Sequence, residues 1–170
     1  MAATYSVLYY NGAGPSSTTW TNGARFHRAD TSPTTDGSTT FIPIPAAGTN
    51  YSWRKHFKLN VTGGTYTTIS NLRFFSDGVS WGTGVTAYAA TASSYTQASA
   101  SDNSSLIAGG TDVTTYTSAS PLTVNAGTVS SSNATGTGTQ DYVVMQVGVG
   151  TTASAGTTTA RTLTYRVDEV

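Results

Sequence analysis

Ser52-Trp53-Arg54-Lys55-His56-Phe57-Lys58-Leu59-Asn60-Val61-Thr62 is the stretch that decides the class of fold. On a pleated strand, successive side chains point to opposite faces. Trp53, Lys55, Phe57, Leu59 and Val61 then share one face, and Arg54, His56, Lys58 and Asn60 share the other. The period is two, not 3.6, which reads as a strand. Gly63-Gly64 follows as a turn. Thr65 to Phe75 is expected to return antiparallel, completing a hairpin.

The rest of the chain extends this reading. Thr4 to Tyr10 is a first strand, ended by Asn11-Gly12 and Gly14-Pro15. Residues 11–38 carry the turn signals Asn22-Gly23, Ser32-Pro33 and Asp36-Gly37 and are expected to form a loop or extended arm. Phe41-Ile42-Pro43-Ile44-Pro45 is extended, but its two prolines confine it to an edge. Val85 to Thr91 is a short strand of small residues. Residues 92–120 are rich in Ser, Ala and Thr, with Leu106-Ile107 their one aliphatic pair, and periodicity does not place them. Leu122 to Val129 reads as a strand, and residues 130–139 as a flexible loop. Tyr142 to Val149 is strongly apolar and is expected to be a central strand, paired as a hairpin with Ala160 to Asp168. Val143, Met145, Val147, Leu163, Tyr165 and Val167 would then point inward. Seven to nine short strands at this spacing predict an all-β fold, an antiparallel β-sandwich or jelly roll with long loops and no substantial helix. Residues 1–170 are expected to form a single domain.

Composition narrows the function. The 170 residues include 8 Lys+Arg and 8 Asp+Glu, a net charge of zero, and charged residues make up 9%. An ordinary soluble domain carries about 25%. A neutral chain does not have the basic balance of a bulk nucleic-acid binder. No apolar run is long enough for a membrane helix, and no secretory signal is visible at the start. Neither nucleic acid nor membrane is expected as a partner. Cysteine is absent, which removes disulfides, thiol nucleophiles and thiolate metal sites.

Catalytic motifs do not survive inspection. Gly78-Val79-Ser80-Trp81-Gly82 matches the G-x-S-x-G pattern of hydrolases. That pattern needs a strand, a sharp turn and a helix, with an acid and a histidine later in the chain. Both histidines, His27 and His56, precede Ser80, and no helix pattern follows it. His27 has no second ligand at metal-site spacing, and His56 lies between Arg54 and Lys58. The acidic residues are dispersed, and Asp36, Asp77 and Asp102 sit beside Gly, Ser or Asn, where Asp makes turns. The expectation is a non-enzymatic protein with no cofactor, metal or catalytic residue.

The basic residues are segregated instead. Arg25, Arg28, Arg54, Lys55, Lys58 and Arg73 are six of the eight, and none falls between residues 74 and 160. Arg25, Arg28, Arg54, His56 and Lys58 are the candidate partner-binding residues, a docking patch for an acidic surface. The same alternation also fits a solvated strand face that blocks edge pairing. Trp20, Trp53, Trp81 and ten tyrosines fit either sugar stacking or ordinary core and interface use.

Two stretches carry a resemblance. One runs from Ile42-Pro43-Ile44-Pro45 through Gly48-Thr49-Asn50-Tyr51-Ser52-Trp53-Arg54-Lys55 to Asn71-Leu72-Arg73-Phe74-Phe75. The other is Tyr142-Val143-Val144-Met145-Gln146-Val147, then Thr151-Thr152-Ala153-Ser154-Ala155-Gly156, then Thr162-Leu163-Thr164-Tyr165-Arg166-Val167-Asp168-Glu169. Together they resemble small β-rich virion proteins of tailed bacteriophages, of the type that decorates or cements capsids. Ala155 stands where that pattern often has Pro, and Val167 where it often has an aromatic residue. The resemblance implies a structural protein on the exterior of a phage head, made in the host cytoplasm. Its implied partners are the major capsid protein and itself, as a homotrimer. A head–tail connector, neck or tail protein on the same sandwich is the nearest alternative, and a carbohydrate-binding receptor module of a tail or fibre is another.

Overall fold

The computed structural model describes residues 2–20, 23–31 and 40–170. Among these the fold is all-β and antiparallel, with two sheets face to face. The larger sheet runs β2 (Ser16–Thr19), β1 (Thr4–Asn11), β4 (Lys55–Gly63), β9 (Tyr142–Gly150), β6 (Val85–Ala92), β7 (Thr111–Asp112). A short β3 (Thr49–Tyr51) also pairs with β9. The smaller sheet runs β10 (Leu163–Glu169), β5 (Ile69–Ser76), β8 (Leu122–Thr123).

β3 and β4 are one bent strand along β9. Tyr51 faces Gly148 and Lys55 faces Met145, so one extra residue is accommodated across 52–54. Ser52 bridges the gap. Its N–H donates to the Val147 carbonyl at 2.8 Å, and its hydroxyl accepts from the Val147 N–H at 3.0 Å.

The core lies between the sheets. Phe57 and Leu59 of β4, Ala87 and Ala89 of β6, and Val143, Met145 and Val147 of β9 meet Leu72 and Phe74 of β5. A fully buried Val, Leu, Phe or Met contributes about 1.5–3 kcal/mol. Leu163, Tyr165 and Val167 pack against this core from β10, partly buried. They face β9 across the sandwich and do not pair with it: β10 pairs with β5. The expected hairpin between Tyr142–Val149 and Ala160–Asp168 is therefore corrected to two strands in opposite sheets. The central placement of Tyr142–Val149 stands, since β9 sits between β4 and β6.

The other expected hairpin is also corrected. After Gly64 the chain leaves the larger sheet, and Tyr66 anchors the crossing. Its N–H donates to Asn133 Oδ1 at 2.9 Å and its hydroxyl to the Ala134 carbonyl at 2.5 Å. Residues 69–76 then pair with β10 and β8 instead of β4. Only Leu122–Thr123 of the expected 122–129 strand is a strand. Gly127, at φ +54°, opens a 3-10 turn over Gly127–Ser130. The expected 11–38 arm is in part structured: β2 pairs with β1, His27 is buried, and Phe26 packs edge-on against Trp81. Ser32-Pro33, Asp36-Gly37 and Asn22 lie outside the described residues.

Candidate functional site

β4 is buried on both faces from Lys55 to Leu59 and reaches solvent only toward its end, at Asn60, Thr62 and Gly63, and this decides the fate of the basic cluster. Its inward row packs in the sandwich. Arg54 and His56 of its outward row are covered by residues 93–110, part of the 92–120 stretch that periodicity does not place. Ile107 of this segment packs with Ala90, Tyr142 and Val144 on the outer face, beside the partly buried Tyr95. A short 3-10 helix, Ala100–Ser104, seats the fully buried Asp102 at the 52–54 bulge. Its carboxylate accepts from the Arg54 backbone N–H at 3.2 Å, from Arg54 Nε at 2.8 Å and from the Ser99 N–H at 3.3 Å. Gln146, fully buried on β9, completes the seam. Its Oε1 accepts from the Ile107 N–H at 2.8 Å, and its Nε2 donates to the carbonyls of Ser52, Asp102 and Ser105.

His56 and Lys58 lie under and beside this cover. His56 is 2% exposed, with its ring 4.8 Å from that of Tyr95 and 5.5 Å from that of Tyr142. Burial, with the Arg54 charge adding to it and Asp102 opposing, pushes its pKa down to about 4. Lys58 is 6% exposed and places its ammonium 4.0 Å from the Tyr142 ring centre, a cation–π contact. Burial also lowers the Lys58 pKa, with Asp141 opposing.

The solvated face read from alternation is thus corrected at His56 and Lys58. His56 and Lys58 are interior, and Arg54 is spent on Asp102. Arg28 is half-buried, with Nε donating to the Tyr51 carbonyl at 3.1 Å. Of the five candidate residues, Arg25 alone is exposed. The reason is physical. Polar alternation marks a solvated face only when nothing packs there, and the covering segment carries almost no apolar signal of its own.

Lys55 points inward, as its alternation requires. Its ammonium donates to the Ala29 carbonyl at 2.9 Å and to the Thr31 carbonyl and Tyr9 hydroxyl at 3.3 Å each. Burial pushes its pKa down to about 8, with Asp30 opposing. This amine latches residues 29–31 over the sandwich.

Away from this region, Gly78-Val79-Ser80-Trp81-Gly82 forms a loop leading into strand β6, so the nucleophile context of a hydrolase is missing. The Ser80 hydroxyl accepts from the Gly82 N–H at 3.3 Å. The loop is fastened to the chain before β10. Arg161 Nε donates to the Ser80 carbonyl at 2.9 Å, and Asp77 accepts from the N–H groups of Val79 and Thr162. Those backbone donors, Thr162 first, hold the Asp77 carboxyl below its ordinary pKa. The loop bounds a cavity of about 230 Å³, with Trp81, Thr86, Asp112 and Thr114 among its walls. Gly84 closes one side at φ +69°, where a Cβ would lie 2.4 Å from the Ala153 nitrogen.

No protein-family model, curated protein or solved structure matches the chain.

Proposed function

We propose that this protein is a non-enzymatic structural component of a virion, a decoration or cement protein that binds the outside of a phage head and stabilises the shell. One observation carries the reading furthest beyond the sequence resemblance. The strongly shifted cationic and imidazole groups, Lys55 and His56, are enclosed under covering segments and are not among the walls of the cavity behind Gly78–Gly84. Acid–base catalysis needs such groups within reach of a substrate. Their burial supports a structural use. The exposed surface is poor in charge and rich in hydroxyls, as along β2 and over Thr157–Thr159. Interface cores are depleted in charged residues, so this surface suits close packing against a protein shell or a second copy. The partners are the major capsid protein and the chain itself, as a homotrimer.

The mechanism is mass action: a ligand that binds only the assembled shell stabilises it. With His56 and Lys58 buried and Arg54 paired with Asp102, docking should depend only weakly on salt. The test is add-back of the purified protein to particles stripped of it. Saturation at a fixed ratio to the major capsid protein, with a raised shell melting temperature, is expected. Failure to rebind, or rebinding that leaves shell stability unchanged, refutes the proposal.

A further inference from the structure

We infer that the cavity behind Gly78–Gly84 is a binding site for a single neutral sugar ring. The inference stands on the chemistry of its walls, independently of the virion reading. The cavity measures about 230 Å³. That is below the roughly 300–1,000 Å³ of pockets for drug-sized ligands, and it suits one small ring.

The lining residues include Ser80, Trp81, Thr86, Asp112 and Thr114. None is cationic. The nearby Arg161 is committed to the Ser80 carbonyl. A phosphate or carboxylate ligand would therefore meet no counter-charge. Asp112 supplies the one carboxylate, and no group of three or more metal-ligating side chains occurs among the described residues. A hard divalent cation takes six or more oxygens and usually several carboxylates, which disfavours a calcium site. The hydroxyls of Ser80, Thr86 and Thr114 make the walls too polar for an apolar guest.

A neutral polyol matches what remains. One Asp112 oxygen, Oδ1, accepts from the Thr114 N–H at 2.9 Å and from the Thr114 hydroxyl at 2.8 Å. These bonds fix the carboxylate and leave Oδ2 to accept from ligand hydroxyls, a charge-assisted arrangement. Trp81, nine-tenths buried in the core, contributes a small part of the wall. Its indole N–H is enclosed and has no hydrogen-bond partner among the described residues, whereas the Trp53 N–H donates to Asn103 Oδ1 at 3.0 Å. The site sits on rigid supports: β6 supplies Thr86, and Asp112 caps the 3-10 turn Val113–Thr115.

The test is a nitrogen–proton correlation spectrum of the labelled full chain. It is titrated separately with glucose, galactose, mannose and N-acetylglucosamine, and with calcium chloride and inorganic phosphate as comparison probes. At least one sugar should give saturable shifts in the Trp81 indole and the Gly82, Gly84 and Thr114 amides, with the Trp53 indole unmoved. Thr86→Val should weaken that binding about three- to tenfold. Asp112→Asn, which retains a capping side chain, should weaken it more than about tenfold. The inference is overturned if no sugar gives saturable shifts at these positions up to about 50 mM, a range that would detect even sub-millimolar to millimolar sites. It is equally overturned if only calcium or phosphate does so, or if sugar binding survives both substitutions unchanged.

Discussion

Acid should loosen this protein through His56. In the fold its imidazole is enclosed by Tyr95 and Tyr142, with Arg54 and Asp102 nearby, and its pKa is pushed from 6.5 to about 4. An unfolded chain binds the proton near the ordinary value, so between these two pKa values the unfolded state holds more protons. Stability therefore rises with pH across that window, is fully present above about pH 6.5, and falls away as pH drops toward 4. At about 1.36 kcal/mol per unit, the whole shift corresponds to about 3 kcal/mol. Roughly 2 kcal/mol of it should disappear between about pH 7 and about pH 5. Urea unfolding across this range measures the loss, and His56→Phe isolates it. Phenylalanine keeps the ring contacts and cannot titrate. The wild type should lose about 2 kcal/mol more than the variant over that interval. If the two stability curves run parallel, His56 is not held neutral by burial and the argument fails.

Four further outcomes can be checked. Asp102→Ala strands the Arg54 guanidinium and should cost about 3–5 kcal/mol. The Arg54 side chain is 25% exposed and can partly rehydrate, so the lower end is expected, with faster proteolysis within 93–110. Met145→Ala, at a fully buried position between the sheets, should cost about 2–5 kcal/mol by calorimetry or denaturant titration. Tyr165→Phe removes a buried hydroxyl that has no partner among the described residues, and should raise stability by about 1 kcal/mol; a loss of that size would show a hidden partner. Ser80→Ala should change stability by less than about 0.5 kcal/mol. Any esterase activity abolished by that substitution would sink the non-enzymatic reading.

The fold class was legible because β4 and β9 carry their period and apolar content in their own residues. Partner choice was not. Alternation specifies faces, whereas which strand lies alongside depends on contacts distant in sequence, such as Tyr66 with Asn133 and Ala134. The same gap misled the reading of the basic row. Arg54 and His56 look solvated until residues 93–110 are known to lie over them, and that segment is held by Asp102 and Gln146 more than by a hydrophobic stripe. The hint available was an Asp and an aliphatic pair, Asp102 and Leu106-Ile107, within an otherwise featureless stretch. The cavity was legible only as a glycine-rich loop, because its carboxylate and hydroxyl come from Asp112 and Thr114, about thirty residues further along the chain.

The place of β9 between β4 and β6 has a consequence for folding during synthesis. β4 and β6 do not pair with each other, so the larger sheet stays in two halves until Tyr142–Gly150 is available. At about 5–20 residues per second, the roughly 50 residues separating β6 from β9 leave both halves with open edges for several seconds. Open edges invite pairing with other chains, and charged side chains discourage it. Lys55 and His56 lie on the β4 edge that β9 later takes, with Lys58 one residue beyond the paired stretch, and before burial at least the two lysines are fully charged near neutral pH. Residues that end as interior packing thus serve first as guards on an unfinished sheet.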